Sequence, residues 1–282
     1  MAFWIDTHSH LDAAEFVRNG LVADILIAQS AIKNVAISVI PAVERSNFDT
    51  VRELAHAQRQ AYALGIHPVY MPQALDDDLL LLDTQLLHHR DDPRLVAVGE
   101  IGLDFFLPAL CTHEMRAKQT QFYRAQLKLA QKHALPVILH VRKSADALLK
   151  ALREIGSHGG IAHAFNGSEQ QAMQFVEMGF ALGFGGTVTY ERSLHIRALA
   201  KRLPPSAIVM ETDAPDIPPQ WLYATAEERA NGKPQGINSP LELPRIGRVV
   251  ADLRGQSEQA WAEQTTRNAL AVLPKLAALL PA

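Results

Sequence analysis

Short apolar runs rich in β-branched residues recur along the chain, and longer stretches with a helical apolar period lie between them. Eight runs stand out, over residues 3–7, 35–40, 61–66, 95–100, 136–140, 160–163, 180–183 and 208–211. Runs that stay apolar without strict alternation suit a parallel sheet buried on both faces, with the intervening segments as its covering helices. Residues 112–133 illustrate the second kind: Met115, Phe122, Leu127, Leu129 and Ala130 form a stripe to bury, and Lys118, Arg124, Lys128 and Lys132 a stripe to expose. Ser144 and Ser168 stand where a hydroxyl could cap a helix start. The rhythm breaks at 214–239, which carries Pro215, Pro218, Pro219, Gly232, Pro234 and Gly236, with 224–231 as a short helix inside it.

This alternation admits either an open doubly wound sheet or a closed (β/α)8 barrel. At 282 residues the chain fits one barrel, and with no repeat, low-complexity tract or linker a single domain over 1–282 is expected. An apolar share of 48% with 20% charged residues excludes disorder and coiled coil. The apolar run Leu79–Leu82 ends at Asp83, so no membrane span is read. Cys111 is alone and residues 1–6 lack signal-peptide features, so a reducing cytoplasm is expected. A net charge of −3 excludes capture of nucleic acid by a broadly basic surface, leaving local contacts or metals to attract it.

The candidate chemistry lies at the run ends. His8 and His10 are two residues apart after the first run, so both can face one metal ion. Glu100, His140, His163 and Asp213 close the fourth, fifth, sixth and eighth runs. Only a barrel gathers all its strand ends at one mouth, and buried charges and imidazoles there require pairing or coordination, which favours the barrel over the open sheet. Four histidines and two carboxylates exceed what one zinc needs. They suit two divalent ions bridged by Glu100, with Asp213 orienting or deprotonating a water. Zinc, manganese, nickel and magnesium all remain compatible with mixed nitrogen and oxygen ligands. His67 and Asp104 are candidates for supporting the ligands or positioning a phosphate, with a structural hydrogen-bonding role as the alternative. Arg142 could meet a phosphate or pair with Glu211 or Asp104. Residues 183–186 read as a tight turn beside a ligand, Asp76–Asp78 and His88–His89 as solvated helix ends, and Cys111 as noncatalytic.

Six blocks resemble the TatD family of metal-dependent deoxyribonucleases in order and spacing: Asp6-Thr7-His8-Ser9-His10-Leu11-Asp12, Gly65-Ile66-His67-Pro68, Gly99-Glu100-Ile101-Gly102-Leu103-Asp104, His140-Val141-Arg142, His163-Ala164-Phe165-Asn166-Gly167 and Glu211-Thr212-Asp213-Ala214-Pro215. The resemblance covers nearly the whole chain and is strongest to the YjjV-type branch. It implies a TIM barrel of amidohydrolase-like type, the same six metal ligands, and DNA as a substrate degraded from a 3′ end. Trimming of RNA or hydrolysis of a tRNA ester would use the same chemistry. Two departures stand out: Ile237-Asn238-Ser239-Pro240 replaces the family's Arg-Asn-Glu-Pro, and Ala164 and Asn166 replace a usual Cys and Ser. Rival expectations are an amidohydrolase acting on a lactone, amide or small phosphotriester, and a binding protein that kept the barrel without turnover. Against the first, the fourth run ends in Glu100 and not in a lysine that could be carbamylated.

Overall fold

The computed structural model describes residues 2–280. Eight strands, β1 (Trp4–Asp6), β2 (Val35–Pro41), β3 (Ala61–Leu64), β4 (Leu95–Asp104), β5 (Val137–Arg142), β6 (Gly160–His163), β7 (Phe180–Phe184) and β8 (Ile208–Met210), lie side by side in chain order. Every adjacent pair is parallel. The first and last strands then meet: Thr7 N–H donates to Met210 O at 3.1 Å, and Ser9 bridges Ala214. The sheet is therefore a nearly closed TIM barrel with helices outside it.

Inward side chains of Ile5, Ile37, Val39, Val96, Ile138, Ile161 and Val209 fill the barrel. Leu273 and Leu276 pack into the same cluster from the C-terminal segment. Lys275 Nζ donates to the carbonyls of Arg90 and Asp92 just before β4, so this plug lies at the strands' N-terminal end and leaves the opposite mouth for the site. Among the described residues no helix is long and apolar enough to cross a membrane.

Several boundaries differ from expectation. β4 continues past Glu100 to Asp104, pairing Gly102 with His140 and Asp104 with Arg142. An extra residue between Val98 and Ile101 shifts the register there, and such a bulge re-aims a side chain without ending a strand. β1 stops at Asp6 and β8 at Met210, because the chain bends at Thr7 and the Ser9–Ala214 bridge resumes the pairing.

The long helix appears over His113–Lys132, and a short one, Ala226–Ala230, lies within 214–239. Ser168 caps its helix by accepting from Gln171 N–H. Ser144 does not cap: its hydroxyl donates to Leu103 O at 2.6 Å and accepts from Arg142 N–H, tying β5 to β4. Asp78 is not a solvated helix end either. It is buried, accepting from Leu75 N–H and the Arg45 guanidinium.

Candidate metal centre

His8 and His10 flank Ser9, whose pairing with Ala214 turns both rings to the same side. Their backbones are bound to the chain beyond β8, with Asp213 N–H donating to His8 O at 2.8 Å and His10 N–H to Ala214 O at 2.7 Å. Asp6 strengthens this junction by accepting from the Thr212 hydroxyl at 2.6 Å and the Thr212 N–H at 2.9 Å. Burial pushes the Asp6 carboxyl up to about 7 against those hydrogen bonds. Asp213 itself sits in the left-handed region at φ 57°, a strained conformation that persists only where its surroundings hold it.

Glu100 lies at the centre with its two oxygens turned to different histidines. Oε2 is 3.1 Å from His8 Nε2 and 3.5 Å from His10 Nε2. Oε1 is 3.0 Å from His140 Nδ1, 3.2 Å from His67 Nε2 and 3.8 Å from His163 Nε2. Asp213 Oδ1 completes the first side, 3.6 Å from the Nε2 atoms of both His8 and His10 and 3.8 Å from that of His163. Among the described residues three groupings could hold an ion: His8, His10 and Asp213; His8, Glu100 and His163; His67, Glu100 and His140.

The donor set fits divalent cations. The ring nitrogens of His8 and His10 face each other at 3.2 Å, and two lone pairs at such a distance repel unless a proton or cation lies between them. The electrostatics agree. Burial, with His163 and His10 nearby, holds His8 well below the usual imidazole range. Burial also opposes a charge on His10, but Glu100 and Asp213 outweigh it and push that ring up to about 9. His163 rises likewise to about 10, through Glu211, Asp213 and Glu100. Glu100 is held well below the carboxylate range because the surrounding histidines overcome its burial.

The structure separates the roles of the supporting candidates. Val69 N–H donates to His67 Nδ1 at 3.1 Å, and burial lowers the ring to about 4, so His67 is neutral with its proton on Nε2 and acts as a donor toward Glu100. Asp104 Oδ2 is 3.2 Å from His140 Nε2 and fixes that ring. Burial raises Asp104, but His140 and the N–H groups of Leu107 and Phe106 outweigh it and bring it to about 2. Arg142 reaches Asp104 at 3.7 Å and not Glu211, and its guanidinium is half exposed.

Glu211 was not expected at the site. Its Oε1 accepts from Ala164 N–H at 2.6 Å and lies 3.3 Å from His163 Nδ1, whose N–H points off the oxygen. Gly183 is the reason it fits: a Cβ there would stand 2.0 Å from Glu211 Oε2. The signal was present in the sequence, since Glu211 lies two residues after inward-facing Val209. Asn238 also acts at a distance, its side-chain amide donating to the carbonyls of Thr212, Asp216 and Ile217 and so holding the loop beside Asp213.

The profile of TatD-related DNases matches residues 5–274. The chain belongs to the TatD family. A metal-dependent hydrolase of Haemophilus influenzae, itself uncharacterised, is 38% identical to this TatD-family chain over 94% of its length and 97% of the relative's. The deoxyribonuclease TATDN3 of Homo sapiens is 30% identical, over 98% of this chain and 96% of the human one. The crystal structure of YjjV, the TatD homologue of Escherichia coli, superposes with a TM-score of 0.84 at 34% identity, covering 96% of this chain and 98% of that one. This TatD-family protein is accordingly a metal-dependent hydrolase, and its mouth opens into a cavity of about 1530 Å³ lined by His10, Glu100, His140, His163 and Asp213.

Proposed function

We propose that the chain is a two-metal phosphodiesterase that degrades DNA from a 3′ end. One observation carries the reading: Glu100 turns Oε2 to His8 and His10 and Oε1 to His140 and His163, as a carboxylate bridging two ions would. His8, His10, Glu100 and Asp213 would hold one ion, and Glu100, His140 and His163 the other. When bound, a pair of zinc, manganese or magnesium ions would supply an activated water and offset the charge developing on the phosphate.

The protein's own groups do the rest. Burial raises the Asp213 carboxyl to about 6 against the pull of His163 and His10. Its carboxylate is placed to accept the proton of the attacking water. His67 holds its proton on Nε2 and can donate to Glu100 or to a phosphoryl oxygen. Asp104 keeps the His140 ring aimed inward, and the Glu211 carboxylate stands 3.3 Å behind His163 Nδ1. The name of the human relative supports DNA as the substrate. The test is incubation of metal-loaded protein with 3′- and 5′-labelled DNA, RNA, and a panel of ester and amide substrates. Stepwise release of 3′ nucleotides that stops on chelation is expected; hydrolysis of a lactone or amide but of no phosphodiester would overturn the reading.

A further inference from the structure

Beyond the metal cluster, the cavity wall carries five carboxylates, those of Asp12, Glu15, Glu44, Asp146 and Asp216. Against them stand two lysine or arginine side chains, Arg142 and Lys143, and the two are neighbours. Both lie on one exposed aromatic ring, with Arg142 Cζ 4.2 Å and Lys143 Nζ 4.8 Å from the centroid of Phe106. Four of the five carboxylates, Asp12, Glu15, Glu44 and Asp216, follow β1, β2 and β8, whereas Asp146 lies just after the cations and accepts from the Gln171 side-chain amide. A polyanion approaching this mouth is repelled along the β1, β2 and β8 side and attracted where the cations sit, at the end of β5.

The arrangement is built rigidly. Fully buried Asp104 accepts from the N–H groups of Phe106 and Leu107 through Oδ1, at 2.8 and 3.0 Å. Through Oδ2 it meets His140 Nε2 and the Arg142 guanidinium. One carboxylate thus ties the backbone at Phe106 to a ring of the metal cluster and holds the Arg142 guanidinium beside both. Ser144 adds a second tie by bonding Leu103 O and Arg142 N–H.

We infer that Phe106, Arg142 and Lys143 form a nucleobase seat that holds the unpaired end of a single-stranded DNA next to the metal cluster. This rests on the phosphodiesterase reading above. The flat faces of Phe106 and the Arg142 guanidinium stack a base without reading its identity, because every base has a π-face. Lys143 and the remaining donors of Arg142 pair with the flanking phosphate. A base must leave its duplex to stack there, so the seat selects single-stranded or frayed ends over blunt ones.

The test uses the metal-loaded full chain and single-stranded oligodeoxynucleotides carrying 2-aminopurine at one of the last three positions. In the wild type, binding should quench the 2-aminopurine at one of those positions. Phe106→Ala and Phe106→Leu should remove that quenching and raise KM by roughly 5- to 150-fold, the range for loss of one stacked base. Phe106→Tyr should restore both. Phe106→Leu keeps the bulk of the half-exposed side chain, so it remains informative if the alanine variant folds poorly. Arg142→Ala with Lys143→Ala should flatten the salt dependence of KM. Wild-type KM and quenching in both Phe106→Leu and the double alanine variant would overturn the seat while leaving the phosphodiesterase reading intact. A wild type that hydrolyses bis(p-nitrophenyl) phosphate but neither binds nor cleaves DNA would instead remove the DNA reading, and the seat with it.

Discussion

Replacing Glu211 with Gln tests whether a buried carboxylate behind the metal cluster sets its affinity. The amide keeps an oxygen for Ala164 N–H, which now bonds Oε1 at 2.6 Å, but removes the negative charge 3.3 Å from His163 Nδ1. Loss of such an outer partner weakens metal binding by about 10- to 100-fold, equivalent to about 1.4–2.8 kcal/mol. Fold stability should change less, because Oε2 is buried without a hydrogen-bond partner and neutralising it offsets the cost of an unpaired amide. In the metal-free protein the His163 ring, now raised to about 10 largely by Glu211 against its burial, should titrate lower. Competition titration with a zinc chelator gives the affinity, and NMR of the metal-free protein gives the His163 titration. Gly183→Ala should act in the same direction, since its Cβ would displace Glu211, with about 1–3 kcal/mol of overpacking added. Wild-type affinity in Glu211→Gln together with an unmoved His163 would refute the role.

Three further outcomes are expected. Metal loading at pH 7 should release protons from His10 and His163, which are raised to about 9 and about 10 and must lose their protons to ligate; calorimetry in buffers of different ionisation enthalpy counts them, and loading without release would contradict this electrostatic picture. Asp213→Asn should lower kcat by about 100- to 10,000-fold, the usual worth of a general base, and single-turnover cleavage with metal content measured on the same sample separates that from loss of the ion. Far from the site, burial raises Asp92, but His56, Arg94 N–H and Tyr62 bring it below its ordinary 3.8. Its stabilisation is therefore present at pH 7 and lost as the pH falls through the folded value. Asp92→Ala should cost about 1.5–3 kcal/mol in urea at pH 7, and less in acid.

The eight strands were legible because strands covered on both faces are apolar throughout, and the barrel because polar residues recur at their ends. Glu100 marked an apparent end to β4, whereas the register shift beside it lets the strand run on to Asp104; a bulge leaves no mark in an apolar pattern. The six expected ligands gather at one mouth: His8, His10 and Asp213 lie just beyond β1 and β8, His163 ends β6, and Glu100 and His140 lie inside β4 and β5 near their C-terminal ends. The donor role of His67 could not be read, since it depends on where Val69 N–H points. Ser144 looks like Ser168 in sequence and differs only because Leu103 O lies within its reach. Glu211 was legible by inward parity with Val209, but its fit depends on the bare backbone of Gly183 across from it. Phe106 and Arg142 are far apart in sequence, and only the pairing of Asp104 with Arg142 makes them neighbours.

The most direct measurement of the central claim is anomalous scattering from crystals grown with zinc or manganese. Two peaks roughly 3.5–4 Å apart, the usual spacing of two-metal sites, are expected with Glu100 between them, one touched by His8, His10 and Asp213 and the other by His140 and His163. A single peak, or peaks that leave Glu100 on one ion only, would contradict the bridging role.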